Sequence, residues 1–102
     1  MKAAPSITNT MRDRNFYINS IKMDLFRVVT ASGDLSKPPA TLSIKEFLEH
    51  AINDFNKFSG TSHDNAIRSK LQQLYNDMYR LEDFNHRLRW VEEVLTARCR
   101  LY

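Results

Sequence analysis

The sequence predicts an all-α protein, an antiparallel bundle of three or four helices that forms a single domain over residues 1–102. Three observations favour this class. The chain contains only 2 Gly and 3 Pro, too few for the many turns of a β-sandwich or barrel. Apolar residues recur at helical spacing, and no stretch alternates convincingly as a strand does. A hydrophobic content of 42% is enough for one core. We expect helices at about residues 11–31, 44–58, 62–82 and 84–101, preceded by a loose segment at residues 1–9.

The first helix is expected to run from Met11 to Ala31. Thr10 and Asp13 have nearly the pattern of a capping box, and Gly33 is suited to end the helix in a left-handed conformation. The predicted core face lies within an arc of about 100°. It consists of Met11, Ile18, Ile21, Leu25, Val28 and Val29.

The second helix has the clearest pattern in the sequence. Pro38 and Pro39 predict an extended connection before it, because a helix cannot continue through them. Ser43 and Glu46 form a capping-box pair, and Gly60 is expected to end the helix. Its predicted core face consists of Ile44, Phe47, Leu48, Ala51, Ile52, Phe55 and Phe58.

The third helix is expected to start at Thr61 or Ser62, with an apolar stripe that changes phase after Leu81. The second part of this stripe is rotated by about 100° from the first. Either the helix breaks near Asp83, which can cap a fourth helix, or one long helix absorbs the shift. A continuous helix would be too long for the other two helices to cover, and would nearly require a partner. The two stripes are Ile67, Leu71, Leu74, Met78, Leu81 and then Phe84, Leu88, Val91, Leu95.

The charge of the chain is basic but not concentrated. The formal net charge is +3, and the excess lies in residues 1–32. Nucleic-acid-binding proteins gather Lys and Arg more densely on one face. The Gly-containing turn at residues 58–61 has some helix-turn-helix character, but Asn56 replaces the usual small residue and Asp64 opposes phosphate approach. We expect no nucleic-acid partner, and a small basic nucleic-acid-binding regulator is the alternative function.

Composition also predicts the compartment. No stretch approaches the roughly 18 uninterrupted apolar residues of a membrane-spanning helix, and no apolar run follows Lys2 as in a secretory signal. The single Cys99 cannot form an internal disulfide. We expect a cytoplasmic protein with no membrane contact.

Two sets of residues have the spacing of metal ligands. Glu46, His50 and Asp54 lie along one side of the second helix. No second element is evident to complete a closed site, so a solvated polar face is the favoured interpretation. Asp83 and His86 repeat the carboxylate–histidine spacing of di-iron bundles, but only one copy is present where two are needed.

Catalysis is not indicated either. Cys99 lies between Arg98 and Arg100, which favour a reactive thiolate, but a terminal turn rarely supplies a base and oxyanion donors. We therefore expect no catalytic, cofactor-binding or metal-binding residue. A metal-binding bundle or an enzyme remains the second alternative.

Two further stripes lie away from the predicted core faces. Aromatic and Met side chains bordered by arginine are typical of protein interfaces. The competing interpretation is that the first helix is buried on two sides and that Trp90 widens the core. The stripes are Arg12, Phe16, Met23 and Arg27 on the first helix and Arg87, Trp90, Val94 and Arg98 on the last.

These observations predict a non-enzymatic interaction or regulatory protein. It would bind an unidentified protein partner, or form a homodimer, through an apolar helical surface bordered by arginine.

Overall fold

The computed structural model describes residues 13–102 and confirms the all-α prediction. No strand occurs within these residues. The chain forms α1 (Arg14–Ser32), α2 (Thr41–Phe55), α3 (Ser62–Asn76), a 3₁₀ helix (Met78–Glu82) and α4 (Phe84–Cys99). The expectations for residues 1–9, and for Met11 and Arg12, lie outside the described residues.

Neighbouring helices run antiparallel. Ser20 and Asp24 of α1 contact Asp54 and His50 of α2 in reversed order. The C-terminal end of α1 likewise lies beside the start of α4, where Arg87 binds the Ser32 carbonyl oxygen. Further contacts join α3 to both α2 and α4. The four helices therefore close around one core, with α1 between α2 and α4.

The two ends of α1 differ from the prediction. Asp13 caps the helix, because its carboxylate accepts a hydrogen bond from the Phe16 amide at 3.0 Å. Gly33 ends the helix in a right-handed conformation, with φ of −83°, so the expected left-handed cap is wrong. A Cβ at Gly33 would lie 2.7 Å from the Val29 carbonyl oxygen. Close backbone approach, rather than a positive φ, explains the glycine.

The start of α2 lies earlier than predicted. The helix begins at Thr41, two residues after Pro39, with Ala40 at the N-cap position and no side chain that caps it. The Thr41 amide instead donates to the Pro39 carbonyl oxygen at 2.9 Å. Ser43 lies inside the first turn, so its predicted role in a capping box with Glu46 is wrong. The helix ends at Phe55, and Gly60 belongs to the connection that follows.

The break in the third segment decides between the two alternatives that the sequence left open. Thr61 and Asp64 form a reciprocal capping box at the start of α3. The chain then passes through the 3₁₀ helix, whose tighter winding accommodates the phase change, and Asp83 caps α4 by accepting from the His86 amide at 3.1 Å. One continuous helix is therefore excluded, and with it the argument that its length requires a partner.

The core confirms the predicted faces of the first three helices but not that of α4. Phe84 is 60% exposed, and Leu88 and Leu95 are each 43% exposed. Trp90 is completely buried, and its indole N–H donates to the Leu74 carbonyl oxygen at 2.9 Å. The core residues contributed by α4 and the segment after it are Trp90, Val91, Val94, Ala97 and Leu101.

A large indole explains this rotation of α4. An aromatic side chain buries about 150–250 Å², more than a leucine, and a buried indole N–H also requires an acceptor. Turning Trp90 inward satisfies both requirements and leaves the leucine stripe outside. The prediction is therefore wrong about which side of α4 faces the core. That side carries Trp90 and Val94, whereas the predicted side carries Leu88 and Leu95.

Candidate functional site

The interface residues predicted on α4 are mostly internal. Trp90 and Val94 are fully buried, and Arg87 is 6% exposed. They cannot contact a partner while the chain is folded, so the prediction is wrong for these three residues, and Trp90 widens the core instead. Arg98 is half-buried on the side of α4 that faces α1.

Arg87 acts as an anchor for the connection between α1 and α2. Its guanidinium donates to three backbone carbonyl oxygens: Ser32 at 2.8 Å, Asp34 at 2.9 Å and Lys37 at 2.7 Å. A planar guanidinium with five N–H donors is suited to such a set of acceptors. Arg87 is therefore buried because it holds the connection between α1 and α2 against α4.

The stripe predicted on α1 is exposed where the structure describes it. Phe16 is 44% and Met23 is 49% exposed, and the Phe16 ring packs edge-on against Tyr17. Arg27 is half-exposed and lies over the Phe47 ring of α2, 5.8 Å from its centroid. Arg12 lies outside the described residues.

Five exposed apolar side chains of α1 and α4 define a surface that we call the outer face. They are Met23 and Phe26 of α1 and Phe84, Leu88 and Leu95 of α4. Phe26 is 55% exposed, more than any other apolar residue of α1. Phe26 is not among the residues predicted from the sequence to form an interface, and the three α4 residues were predicted to lie in the core.

Arg98 connects the two halves of the outer face. Its Nε donates to the Lys22 carbonyl oxygen at 3.0 Å, and its guanidinium carbon lies 5.8 Å from the centroid of the Phe26 ring. Leu95 is one helical turn before Arg98, so Phe26 and Leu95 occupy neighbouring positions on the two helices. On α4, Phe84, Leu88 and Leu95 fall within an arc of about 40°.

A different cluster joins α1 to α2. The Nδ1 of His50 donates to Oδ2 of Asp24 at 2.5 Å and lies 3.7 Å from Oδ2 of Asp54. Both aspartates are almost completely buried, at 3% and 2% exposure, whereas His50 is exposed. Glu46, which has the same helical spacing, is exposed and lies outside the cluster, as expected for a solvated residue; Asp24 of the neighbouring helix is the third member instead.

The cluster is surrounded by polar groups of both helices. Ser20 donates to Asp54 at 2.8 Å, and Arg27 and Lys57 each lie 3.4 Å from one aspartate oxygen. The hydrogen bond to Asp24 raises the pKa of His50 above its ordinary value, although burial acts in the opposite direction. The protonated imidazole is thus stabilised where it faces the two carboxylates.

The second motif with metal-ligand spacing, Asp83 and His86, does not bring three ligand atoms together. The Nδ1 of His86 lies 3.4 Å from Asp83, and both side chains are exposed. Among residues 13–102, only Asp24, His50 and Asp54 bring three such ligand atoms together, all within 4.8 Å of one another.

A groove of about 440 Å³ lies between α3 and α4 beside Ile67. Its polar groups largely satisfy one another. Lys70 donates to Glu93 at 2.6 Å, and the His63 Nε2 lies 2.6 Å from the Arg100 carbonyl oxygen. We assign no ligand to this groove, because few of its polar groups are left to recognise one.

Comparison with known proteins does not extend these observations. No family model matches the chain, and comparisons with curated proteins and with solved structures give no match either. The helices of the described residues include none that is both long and apolar enough to span a membrane. Function has to be inferred from the exposed surfaces and side-chain clusters themselves.

Proposed function

We propose that this chain is a non-enzymatic interaction protein that forms a homodimer through the outer face. The observation that carries the proposal is the exposed leucine stripe of α4, Leu88 and Leu95, beside Phe26 of α1. Exposed apolar patches of a few hundred Å² often mark protein–protein contact sites.

The area of the outer face suits a dimer. Its five defining side chains together expose about 500 Å², taking about 200 Å² for a large apolar side chain. Two copies would bury about 1,000 Å² from these side chains, and specific interfaces begin near 1,200 Å² in total. The polar residues at the border would supply the difference.

The spacing of the stripe favours pairing of α4 with a second α4. The exposed residues Phe84, Leu88 and Leu95 recur after four and seven residues, so they lie on one side of α4, as in helices that pack side by side. A two-fold axis lets one patch bind itself, which is the commonest arrangement in homo-oligomers.

Charge favours an antiparallel pairing. Parallel helices would place Arg98 and Arg100 of one copy beside the same residues of the other, at a repulsive distance. Antiparallel pairing separates them and can place Leu88 of one copy opposite Leu95 of the other. One acidic residue, Glu92, and one basic residue, Arg98, flank the stripe, so the face itself has little net charge.

The test is the mass of the particle in solution. Light scattering coupled to size exclusion should give twice the chain mass of 12.0 kDa at tens of micromolar protein. Leu88→Glu combined with Leu95→Glu should give the monomer mass. Both leucines are already partly exposed, so the circular dichroism spectrum should not change.

Leu42→Glu is the matched control. Leu42 is 70% exposed on α2, away from the outer face, so this variant should stay dimeric. A monomer mass for the wild-type chain, or a dimer that survives both glutamates, would reject the proposal.

The single Cys99 reports the orientation of the helices. It is exposed at the end of α4 and accepts a spin label. Antiparallel pairing with Leu88 opposite Leu95 separates the two Cys99 residues by more than about 20 Å, whereas parallel pairing brings them to about 10 Å. Disulfide formation between two Cys99 residues would overturn the antiparallel arrangement.

A further inference from the structure

The cluster between α1 and α2 has the composition of a metal site rather than of a simple ion pair. Two buried carboxylates and one imidazole nitrogen, contributed by two helices, converge within 4.8 Å. The Oδ2 atom of Asp54 faces the His50 Nδ1 at 3.7 Å, which is too long for a hydrogen bond. The two carboxylates therefore face the same nitrogen, but only Asp24 accepts a hydrogen bond from it.

We propose that Asp24, His50 and Asp54 bind a divalent transition-metal ion of the zinc type. Imidazole nitrogen and carboxylate oxygen are common ligands of such an ion, at about 2.0–2.2 Å. The ion displaces the proton between His50 and Asp24 into solvent and links both carboxylates to the imidazole. Three protein ligands leave one tetrahedral position for water.

Binding an ion requires all three ligands to adjust. Ligand atoms around a tetrahedral zinc ion lie about 3–3.5 Å apart, and the two distances from His50 Nδ1 here are 2.5 and 3.7 Å. His50 has a side chain that is 57% exposed, so its ring can move outward by the required fraction of an ångström. The carboxylate ligand atoms of Asp24 and Asp54 lie within 4.8 Å of each other, so both carboxylates also have to turn toward the ion.

Groups around the cluster already hold the remaining oxygen atoms. Arg27 contacts Oδ1 of Asp24, and Lys57 contacts Oδ1 of Asp54, each at 3.4 Å. Such outer contacts orient ligating carboxylates, and Oδ2 of Asp54 in addition accepts a hydrogen bond from the Ser20 hydroxyl at 2.8 Å. The two cations also oppose the charge of the metal, but both are half-exposed and screened by solvent.

The direct test is titration of the purified, metal-free chain with Zn²⁺ by calorimetry and with Co²⁺ by visible absorption. One ion should bind per chain, and Zn²⁺ should raise the melting temperature. His50→Gln should weaken binding at least about tenfold. The variant is expected to fold, because His50 is exposed.

His86→Gln is the matched control, since His86 is an exposed histidine three residues after an aspartate. It should bind Zn²⁺ like the wild type. Asp24→Asn keeps the side-chain shape but removes a charged ligand, and should weaken binding as His50→Gln does. If Asp24→Asn does not fold, the Zn²⁺ affinity of His50→Gln relative to the wild type tests the proposal.

Binding is also measured in the Leu88→Glu, Leu95→Glu double variant. This separates the cluster from any metal held between two copies, and makes the result independent of the proposed dimer. The proposal is overturned if the wild type binds no ion, if His50→Gln binds as tightly as the wild type, or if His86→Gln loses binding equally.

Discussion

Replacing Asp64 by asparagine should reduce the stability of the fold and change how stability depends on pH. The Asp64 side chain has no exposed surface, and Arg14 donates to both of its oxygens, at 2.7 and 2.8 Å. The Thr61 amide donates to the same carboxylate at 3.0 Å. This one carboxylate thus caps α3 and ties it to the start of α1.

The magnitude follows from the pKa of Asp64. The Arg14 guanidinium, together with the Thr61 amide, lowers the pKa of this carboxyl from 3.8 to about 2. At about 1.4 kcal/mol per pKa unit this is roughly 2.5 kcal/mol, and solvent around the partly exposed Arg14 reduces it to about 1–2 kcal/mol. A carboxyl with a lowered pKa stabilises the fold above pH 3.8, and this contribution disappears as the pH falls through about 2.

The assay is urea unfolding followed by fluorescence of the single Trp90, at pH 7 and at steps between pH 4 and pH 2. The Asp64→Asn variant should lose about 1–2 kcal/mol at pH 7, and its deficit relative to the wild type should shrink as the pH falls. Asp83→Asn is the control, because asparagine caps a helix about as well as aspartate. Equal stability of Asp64→Asn and wild type at pH 7, or a deficit that does not depend on pH, would refute the reasoning.

Four other predictions concern the core, the loop anchor, the histidine cluster and nucleic acid. Phe55→Ala removes a buried ring and should cost about 3–5 kcal/mol in urea unfolding, so an unchanged midpoint would contradict its burial. Arg87→Lys leaves carbonyl oxygens of the α1–α2 connection without donors and should cost about 2–4 kcal/mol; a cost near zero would show that the anchor is dispensable. The pKa of His50 is raised in the folded chain, so the protonated imidazole stabilises the fold fully below pH 6.5, the ordinary pKa of histidine. Thermal stability should therefore decline as the pH rises through the pKa of the folded state. His50→Gln should flatten this dependence of stability on pH. Binding to duplex DNA or RNA, followed by fluorescence anisotropy, should vanish by about 0.15 M salt, and selective binding that persists there would favour the nucleic-acid-binding alternative.

Local patterns in the sequence were sufficient for most of the fold. The faces of the first three helices follow from apolar spacing, because each of those helices has one dominant stripe. The start of α3 at Thr61 or Ser62 is equally local and was predicted, although the reciprocal capping box of Thr61 and Asp64 was not. The start of α2 was missed, because Ser43 and Glu46 have the right spacing while the prolines actually fix where the helix begins.

The metal-ligand cluster shows the limit of one-dimensional reasoning. His50 and Asp54 are four residues apart on one helix, and this spacing is visible in the sequence. Asp24 reaches them only because α1 packs antiparallel against α2 in one particular register. Nothing in the spacing along a single helix specifies that register, so Glu46 was the third member that the spacing alone could offer.

The same limit explains α4, where two apolar stripes compete for one core. Burial of Trp90 gives the larger gain, and its N–H finds an acceptor in Leu74. A helix whose apolar arc is wider than the surface its neighbours can cover must leave one stripe outside. In this chain the remaining stripe includes Leu88 and Leu95, which have the regular spacing of a helix-packing surface rather than scattered exposure. The feature that misled the assignment of the core is therefore the one on which the proposed dimer rests, because a second copy would cover the stripe of α4 that a single chain leaves exposed.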